Sequence, residues 1–141
     1  MSDYDSDNIF AKILRGELPS HKVYEDDNTL VIMDIMPRCP GHVLVLPKNP
    51  SRNMLDIAPE DAAVVMQTAC KMAHAVKQAF DGDGVTIQQF NESAGGQVVF
   101  HTHMHVIPRH DGVKMGPPAS EMAPQEDLAA NAEKIRAVLE D

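Results

Sequence analysis

The chain has 141 residues, of which 43% are hydrophobic, and this is enough for one domain with its own core. Its net charge of −9 argues against nonspecific binding to nucleic acids or to anionic membranes, because phosphate contacts require lysine and arginine. No apolar stretch reaches the roughly 18 residues of a membrane span and no signal-peptide pattern opens the chain, so we expect a cytoplasmic protein with free thiols at Cys39 and Cys70.

The first third of the chain predicts a short helix followed by strands. Residues 1–7 are acidic and polar, and we expect them to form a mobile lead-in. A helix is predicted from Asn8, which can cap it, to Gly16, which suits the left-handed position at a helix end. Strands are predicted over residues 21–25, 29–34 and 43–48, with a hairpin turn at 26–28 and a Pro/Gly loop before the third.

The remainder predicts a long helix, a further strand and a helical end. Pro59 suits a first helical turn, and apolar residues at spacings of three and four continue to Phe80. Residues 84–91 alternate as a strand does, and a glycine turn follows at 95–96. Residues 110–124 are rich in Gly and Pro and are expected to be irregular. A last helix is compatible with 125–139, with one apolar face formed by Leu128, Ala132, Ile135 and Leu139.

Three histidines alternate with other residues just after the glycine turn. Alternation with a period of two is typical of a strand, whose successive side chains point to opposite faces. We therefore expect His101, His103 and His105 to share one face of a strand. Pro108 cannot donate a ladder hydrogen bond, so this strand should end there or become an edge.

Such a row of imidazoles allows three interpretations. A purely structural role would require each buried ring to be hydrogen-bonded. A metal site is disfavoured because the first and third rings lie about 13 Å apart at ~3.3 Å per residue, whereas a Zn–N bond is about 2 Å long. The third interpretation is a nucleophilic imidazole whose two neighbours orient it and handle protons. Its unperturbed pKa of about 6.5 leaves it neutral near pH 7, and attack on phosphorus would give a phosphohistidine-type intermediate.

The residues from His101 to Ile107 resemble the histidine triad motif, His-φ-His-φ-His-φ-φ with φ apolar, and Thr102 is the one departure. The stretch of residues 40–48 resembles the family's Pro-x-His-φ-φ-φ-φ-Pro-Lys segment, with His42 as a fourth active-site histidine. His105 argues against the galactose-1-phosphate uridylyltransferase branch, which carries glutamine there. The missing basic extension argues against aprataxin-like members. Hint-like phosphoramidases and Fhit-like dinucleoside polyphosphate hydrolases remain.

This resemblance implies a fold, a reaction and partners. The fold is α+β, an antiparallel sheet with one long helix and a short N-terminal helix packed on it. Residues 8–110 are expected to form the histidine triad domain, and 111–141 an irregular segment with a C-terminal helix. The expected partners are a purine nucleotide of the AMP type and a second copy of the chain in a homodimer, with neither nucleic acid nor membrane.

The resemblance also assigns roles to single residues. His103 would attack the α-phosphorus, His105 and Asn91 would steady the leaving group, and His101 and His42 would orient the nucleophile and hold charge. Asp34 would bind the ribose hydroxyls. The other nucleotide-binding positions implied are the apolar wall of Ile9, Phe10, Ile13, Ile32 and Ile35, the glycine-turn residues Gly96, Gln97 and Val98 with their backbone donors, and Arg109.

The sequence departs from the family at two places. Many bacterial relatives bind a structural zinc through two cysteines, and Asn8 and Ala11 occupy those positions here. We therefore expect no structural zinc, no required cofactor, and at most a divalent ion accompanying polyphosphate substrates. Val98 replaces a serine of the Hint-like members, whereas Pro108 and Arg109 are more like the dinucleoside polyphosphate hydrolases. A nucleotide- or partner-binding module without turnover and a histidine metal-binding protein remain the alternatives.

Overall fold

A five-stranded antiparallel sheet, in the order β1-β2-β3-β5-β4, forms the centre of the computed structural model, which describes residues 4–117 and 121–140. The strands are β1 (Lys22–Glu25), β2 (Thr29–Met33), β3 (Val43–Pro47), β4 (Gly84–Gln88) and β5 (Met104–Arg109). The helices are α1 (Ile9–Leu14), α2 (Pro59–Ala79) and α3 (Gln125–Leu139), and Ser93–Gly95 form one 3-10 turn. The α+β fold predicted from the sequence is confirmed.

The two faces of the sheet carry different helices. Alternate residues of β2 and β3, such as Val31 and Val45, are fully buried against α2 and α3. The residues between them, such as Leu30 and Leu46, face the opposite way and pack with Phe10 of α1. Both strands are buried on both faces, which is why they read as continuous apolar runs rather than alternating ones.

The C-terminal helix is part of the core. Leu128, Ala132 and Ile135 are buried on the apolar face predicted for it, and each large aliphatic side chain removed from water contributes about 1.5–3 kcal/mol. The segment before α3 is tied to the loop after β2, since the N–H of Gly116 bonds the carbonyl of Arg38 at 3.2 Å. The irregular segment predicted over residues 110–124 includes 118–120, which lie outside the described residues.

The prediction that all three histidines lie on one strand was wrong. β5 begins at Met104, so only His105 belongs to it. If the register that pairs Val45 with Met104 continued for two more residues, it would bring Pro47 opposite Thr102. Pro47 has no N–H to donate, so the ladder stops before that position. Thr102 instead bonds the carbonyl of Ser51 through its own N–H at 2.9 Å.

Pro108 lies inside β5 rather than at its end. Its neighbour in the sheet is Val85 of β4, while the pairing with β3 has already finished at Val106. On the β3 side Pro108 is therefore at a local edge, which is the second of the two outcomes predicted for it.

Among the described residues, none of the helices is long and apolar enough to cross a membrane.

Candidate active site

His103 lies at the centre of a group of four histidines. Its side chain is 8% exposed, and its Nδ1 lies 2.7 Å from the carbonyl oxygen of His101. A carbonyl oxygen only accepts hydrogen bonds, so Nδ1 carries the ring proton in the neutral form and Nε2 keeps its lone pair. The ring of Phe10 meets that of His103 edge-on, with centroids 4.8 Å apart. This arrangement holds an unprotonated ring nitrogen ready for nucleophilic attack.

His101 supports His103 through its main chain, and its own ring points elsewhere. Its Nε2 lies 2.9 Å from the carbonyl oxygen of Pro47, and its Nδ1 lies 2.6 Å from the hydroxyl of Tyr4. His101 is completely buried. The sequence predicted that Tyr4 lies in a mobile lead-in, and its contact with a triad histidine corrects that prediction. Residues 1–3 of the same segment lie outside the described part of the chain.

His42 and His105 form a direct hydrogen bond. Nε2 of His42 lies 2.9 Å from Nδ1 of His105, and the N–H of Arg38 donates to Nδ1 of His42 at 3.1 Å. Since Nδ1 of His42 accepts, its Nε2 carries the proton and donates to His105. In the neutral form His105 then carries its own proton on Nε2. The four rings are thus fixed in single tautomers by their surroundings.

Asp34 lies beside this pair of histidines. Its Oδ2 is 3.4 Å from Nε2 of His42 and 4.0 Å from Nδ1 of His105, and its Oδ1 accepts the N–H of Met36 at 2.9 Å. The carbonyl of His42 accepts the N–H of Asp34, which holds the two segments together. The aspartate predicted to bind ribose therefore lies beside His105, the histidine predicted to steady the leaving group.

Burial favours the neutral forms of the four histidines and of Asp34. Desolvation, with smaller contributions from nearby positive groups, lowers the pKa of His42 to about 4 and that of His105 to about 3. Desolvation also lowers the pKa of His101 to about 4 and lowers that of His103. It raises the pKa of Asp34 to about 6. At neutral pH the imidazoles are uncharged, as a nucleophile requires.

One metal-binding geometry is present in the described residues, but its chemistry is unfavourable. Asp34, His42 and His105 each offer a ligand atom, and these atoms lie within 4.8 Å of one another. A metal-bound histidine normally donates its second ring N–H to an acceptor. His42 does the opposite, because its Nδ1 accepts the N–H of Arg38. A metal on Nε2 of His42 would therefore face a proton or break that bond, so this trio fits a hydrogen-bonded chain better than a metal.

The two positions at which the family resemblance implies a structural zinc do not fit that metal here. Asn8 is the N-cap of α1, and its Oδ1 accepts the N–H of Ala11 at 2.9 Å. Ala11 is buried and offers no ligand atom. Asn8, at a position where the family resemblance implies cysteine, therefore caps the helix instead of offering a thiolate.

The glycine turn is built from its own hydrogen bonds, and this changes which donors face the site. The N–H of Gly96 bonds the carbonyl of Ser93, and the N–H of Gln97 bonds that of Glu92, both at 3.0 Å. Gly96 has a φ of +98°, which favours glycine. These two backbone donors, predicted to bind phosphate, are engaged within the turn. The side chain of Val98, 84% exposed, follows directly, and its N–H bonds no acceptor in the described part of the chain.

A second loop, absent from the sequence predictions, supports the glycine turn. The amide of Gln97 donates to the carbonyls of Arg52 and Val99 and accepts from the N–H of Glu92. Asn53 bonds both Gln97 and Glu92. Gln97 is therefore a buried scaffold residue rather than a ligand-facing one.

Asn91 also has a structural role in this arrangement. Its Oδ1 accepts the N–H of Met54 at 2.8 Å, and its amide pairs with that of Gln89. The residue beside His105 is Phe90, whose ring centroid lies 5.4 Å from that of His105. The leaving-group side predicted for Asn91 is thus bordered by an aromatic ring.

The apolar residues predicted to hold the base divide into buried and open ones. Phe10 and Ile32 are buried in the core below α1, whereas Ile9 is 45% and Ile35 38% exposed. Ile13 packs at the margin of the same cluster. The buried pair shapes the wall, and the exposed pair leaves apolar surface that a base could cover.

Arg109 lies away from this cluster. It ends β5, four residues beyond His105, and is therefore about 13 Å from it at ~3.3 Å per residue. Its guanidinium donates to the hydroxyl of Thr86 at 3.0 Å and to the carbonyl of Val113. The structure does not bring Arg109 together with the histidines, because the strand that carries both extends in one direction.

Comparisons with known proteins give the same family throughout. The family model described as the HIT domain matches residues 15–112. The crystal structure of a Hit-like protein involved in cell-cycle regulation from Bartonella henselae has a TM-score of 0.93 and 50% sequence identity, and covers 97% of this chain and 99% of that chain. A Zn-bound histidine triad family protein from Mycobacterium smegmatis has a TM-score of 0.85 at 32% identity, over 95% of this chain and 94% of that chain. The adenylylsulfatase HINT3 of Arabidopsis thaliana is 37% identical over 110 residues, which are 78% of this chain and 56% of that protein.

Proposed function

The chain belongs to the histidine triad (HIT) family, and from that premise we propose that it hydrolyses a nucleotide at its α-phosphorus through a covalent intermediate on His103. The observation that carries the proposal is the hydrogen bond from Nδ1 of His103 to the carbonyl of His101. It leaves Nε2 unprotonated at a buried position, and the lowered pKa keeps the ring neutral at physiological pH.

The first step transfers the nucleotidyl group to the enzyme. Nε2 of His103 forms a bond to the α-phosphorus, and the bond between phosphorus and the leaving atom breaks. The leaving group departs with the bonding electron pair and takes up the Nε2 proton of His105, which draws the proton of His42 across the hydrogen bond between the two rings. The His42–His105 pair is then one proton short, and the second step restores that proton. The positive charge that develops on the His103 ring is shared with the carbonyl of His101, which accepts its Nδ1–H.

The second step returns the enzyme to its starting state. Water attacks the α-phosphorus of the intermediate and gives up a proton, which returns to the His42–His105 pair. The N–P bond breaks with its electron pair returning to Nε2 of His103, and a nucleoside monophosphate leaves. The backbone N–H of Val98, which directly follows the engaged donors of the glycine turn, is the donor that we assign to the non-bridging oxygens. This step needs no metal, although a divalent ion could accompany a polyphosphate substrate.

We assign the nucleoside to the surface between α1 and the loop after β2. The exposed side chains of Ile9 and Ile35 would cover a purine, and the carboxylate of Asp34 would accept the ribose hydroxyls. The relative from Arabidopsis thaliana is named as an adenylylsulfatase, which supports AMP as the transferred group. The leaving groups that we propose are an amine, a second nucleotide and sulfate.

A homodimer is part of the proposal. β4 lies at the edge of the sheet, and its Ile87 is 40% exposed. An unpaired edge strand is a surface on which a second copy can pair. Light scattering coupled to gel filtration would show a single species of two chains, and a monomer at micromolar concentration would remove this part of the proposal.

The experiment that tests the function is acid-quenched single turnover with substrate labelled at the α-phosphorus. Adenosine phosphoramidate, diadenosine polyphosphate and adenylyl sulfate would be compared. We expect acid-labile label on the peptide that contains His103, and no label in His103→Ala, which should lose several powers of ten in turnover because the covalent route is gone. Label on another residue, or near-normal turnover of the variant, would refute the mechanism.

A further inference from the structure

We propose that Tyr4 is a positioning residue for the nucleophile, acting through His101; this inference rests on the proposed role of His103. Tyr4 precedes α1, and 97 positions separate it in sequence from the histidine that it contacts. Its hydroxyl lies 2.6 Å from Nδ1 of His101, and the two rings meet edge-on with centroids 5.7 Å apart.

The direction of this hydrogen bond follows from the other side of the ring. Nε2 of His101 lies 2.9 Å from the carbonyl of Pro47, which can only accept. Nε2 of His101 therefore carries the proton, and Nδ1 is an acceptor. Tyr4 must donate to it. With both ring nitrogens engaged, the His101 ring is fixed in one tautomer and one orientation.

Two kinds of hydrogen bond connect the position of the His101 ring with His103: one is made by the main chain of His101, and the others by its ring. The main-chain carbonyl of His101 is the acceptor that holds the proton of His103 on Nδ1, at 2.7 Å. His101 and His103 precede β5, so no strand ladder fixes this carbonyl. The N–H of Thr102, in the same peptide unit, holds it from one side through the carbonyl of Ser51. The side-chain bonds to Tyr4 and Pro47 restrain His101 from the other side, and Tyr4 is the part of that restraint that comes from outside the sheet.

The charges around this contact favour a neutral donor and a neutral acceptor. Arg15, which follows α1, and Lys48 after β3 line the small cavity beside Tyr4 and His101. Burial lowers the pKa of the His101 imidazole to about 4. His103 acts in the same sense on His101. Burial raises the pKa of the Tyr4 hydroxyl, against the smaller opposing effects of Asn8 and Arg15, while Asp5 raises it further. The phenol therefore stays protonated at neutral pH and can donate.

The segment that carries Tyr4 is tethered to α1. The carbonyl of Asp5 accepts both the side-chain amide of Asn8 at 2.8 Å and its N–H at 3.3 Å, and Asn8 caps the helix. Arg15 donates to the carbonyl of Ser6 at 2.8 Å. These bonds place the residues after Tyr4 at a defined point on α1, so the hydroxyl is presented to His101 by a structured segment.

The test compares Tyr4→Phe with Tyr24→Phe. Tyr24, the other tyrosine of the chain, donates its hydroxyl to Asp26 at 2.9 Å and lies outside the site, so its loss controls for the removal of one phenol hydrogen bond. We expect Tyr4→Phe to lower the single-turnover rate roughly tenfold, which corresponds to about 1.4 kcal/mol, with an unchanged Kd for AMP. Tyr24→Phe should leave the rate unchanged.

A direct readout separates positioning from general loosening. The ¹⁵N shift of Nδ1 in His101, measured on the protein without substrate, should move towards that of a free acceptor in Tyr4→Phe only, and His103 should populate its second tautomer. If the ¹⁵N shift of Nδ1 in His101 were the same in Tyr4→Phe as in the parent protein, the inference would be overturned, whatever the activity of the variant. This measurement does not require turnover, so it fails independently of the proposed function.

A graded variant completes the test. Replacement of Tyr4 by 3-fluorotyrosine keeps the O–H donor and makes it more acidic. The single-turnover rate should therefore return to within about twofold of the parent rate, because a twofold change corresponds to a free energy well below that of one hydrogen bond. If the fluorinated protein were as slow as Tyr4→Phe, the role of the hydroxyl as a donor would be refuted.

Discussion

Arg52 forms a two-pronged ion pair with Glu92, with Nε and an Nη of the guanidinium 2.8 Å and 3.0 Å from the two carboxylate oxygens. The pair joins the loop before α2 to the loop before the histidines. Glu92 has a φ of +64°, a conformation that a residue with a side chain rarely adopts and that the surrounding contacts must hold. The guanidinium also lies over the ring of Phe100, 4.2 Å from its centroid.

Replacing Arg52 by Gln should therefore impair catalysis through the glycine turn. Without Arg52, Glu92 keeps only Asn53 and the amide of Gln97 as side-chain partners, so its positive-φ conformation is held less firmly and the turn that it starts would shift relative to His103. We expect kcat/KM to fall about tenfold, within the range that a displaced catalytic geometry produces. Arg136→Gln removes a guanidinium that pairs with Glu133 on α3 and is the matched control. Equal effects of the two changes would show that the loop pair has no special role.

The local pattern of apolar residues was sufficient to predict the strands and the helix that bury a continuous face. The apolar runs of β2 and β3 and the stripe of Leu128, Ala132 and Ile135 appear in the sequence with the periods that the structure uses. The grouping of His42 with the triad came from the resemblance of two separate segments to one family, and the structure places His42 against His105.

The parts that sequence reasoning missed depend on partners distant in the chain. The triad pattern predicted one strand, but the ladder ends because Pro47 lies across from Thr102, and that is known only once the register is known. Tyr4 and Arg52 lie 97 and 40 positions from their partners, in segments with no periodic pattern. Gly96 was assigned to phosphate binding although its N–H is used inside the turn, a detail of turn geometry that composition does not reveal.

Nucleotide affinity should depend on the ionisation of Asp34. Its pKa is raised to about 6 by burial, and only the carboxylate accepts two hydroxyls well, so affinity for AMP should be nearly full above about pH 7 and should fall as the pH drops through 6. Asp34→Ala should weaken binding about tenfold at pH 7.5, since a hydrogen bond to a charged group contributes about 1.5–3 kcal/mol. Calorimetric titration measures both effects. A 2′,3′-dideoxy nucleotide should bind the parent and the variant equally, and a difference between them would place the ribose elsewhere.

The buried histidines should make the fold sensitive to acid. Their pKa values are lowered in the folded state, so the stability that they contribute is present above about pH 6.5 and is lost as the pH falls towards 4. Asp34 has the opposite sign, because its raised pKa favours the folded state below about pH 4 and this contribution is lost by pH 6. Near pH 5 unfolding should therefore take up about two to three protons net.

This uptake sets a slope that denaturant titrations can measure. At about 1.4 kcal/mol per proton and pH unit, the free energy of unfolding should fall by about 3–4 kcal/mol between pH 5.5 and 4.5. Urea titrations at several pH values between 4 and 8 give this dependence directly. A free energy of unfolding that stays level over this range would mean that the four rings are protonated without loss of the fold.

Zinc should bind weakly to this chain. Asn8 and Ala11 offer no thiolates, and Nδ1 of His42 accepts a backbone N–H. Neither the position implied by the family resemblance nor the trio of Asp34, His42 and His105 is therefore a good ligand set. Elemental analysis of protein purified without added metal should give much less than one zinc per chain. Stoichiometric zinc that survives dialysis against a chelator would contradict this and would favour a metal-binding role for the histidines.

The hydrogen bond between His42 and His105 should matter most for substrates with poor leaving groups. A leaving group that is already stable as an anion, such as nitrophenolate, needs no proton, whereas an amine does. His42→Leu removes the donor to Nδ1 of His105, and His42→Gln keeps an N–H that can replace it. We expect His42→Leu to slow hydrolysis of adenosine phosphoramidate roughly 100-fold, the usual size of a proton-transfer contribution, and that of the AMP nitrophenyl ester by less than about threefold. His42→Gln should retain most of the activity towards both substrates. The measurement is kcat against leaving-group pKa for the three proteins, and parallel lines for His42→Leu and the parent would rule out proton delivery along this bond.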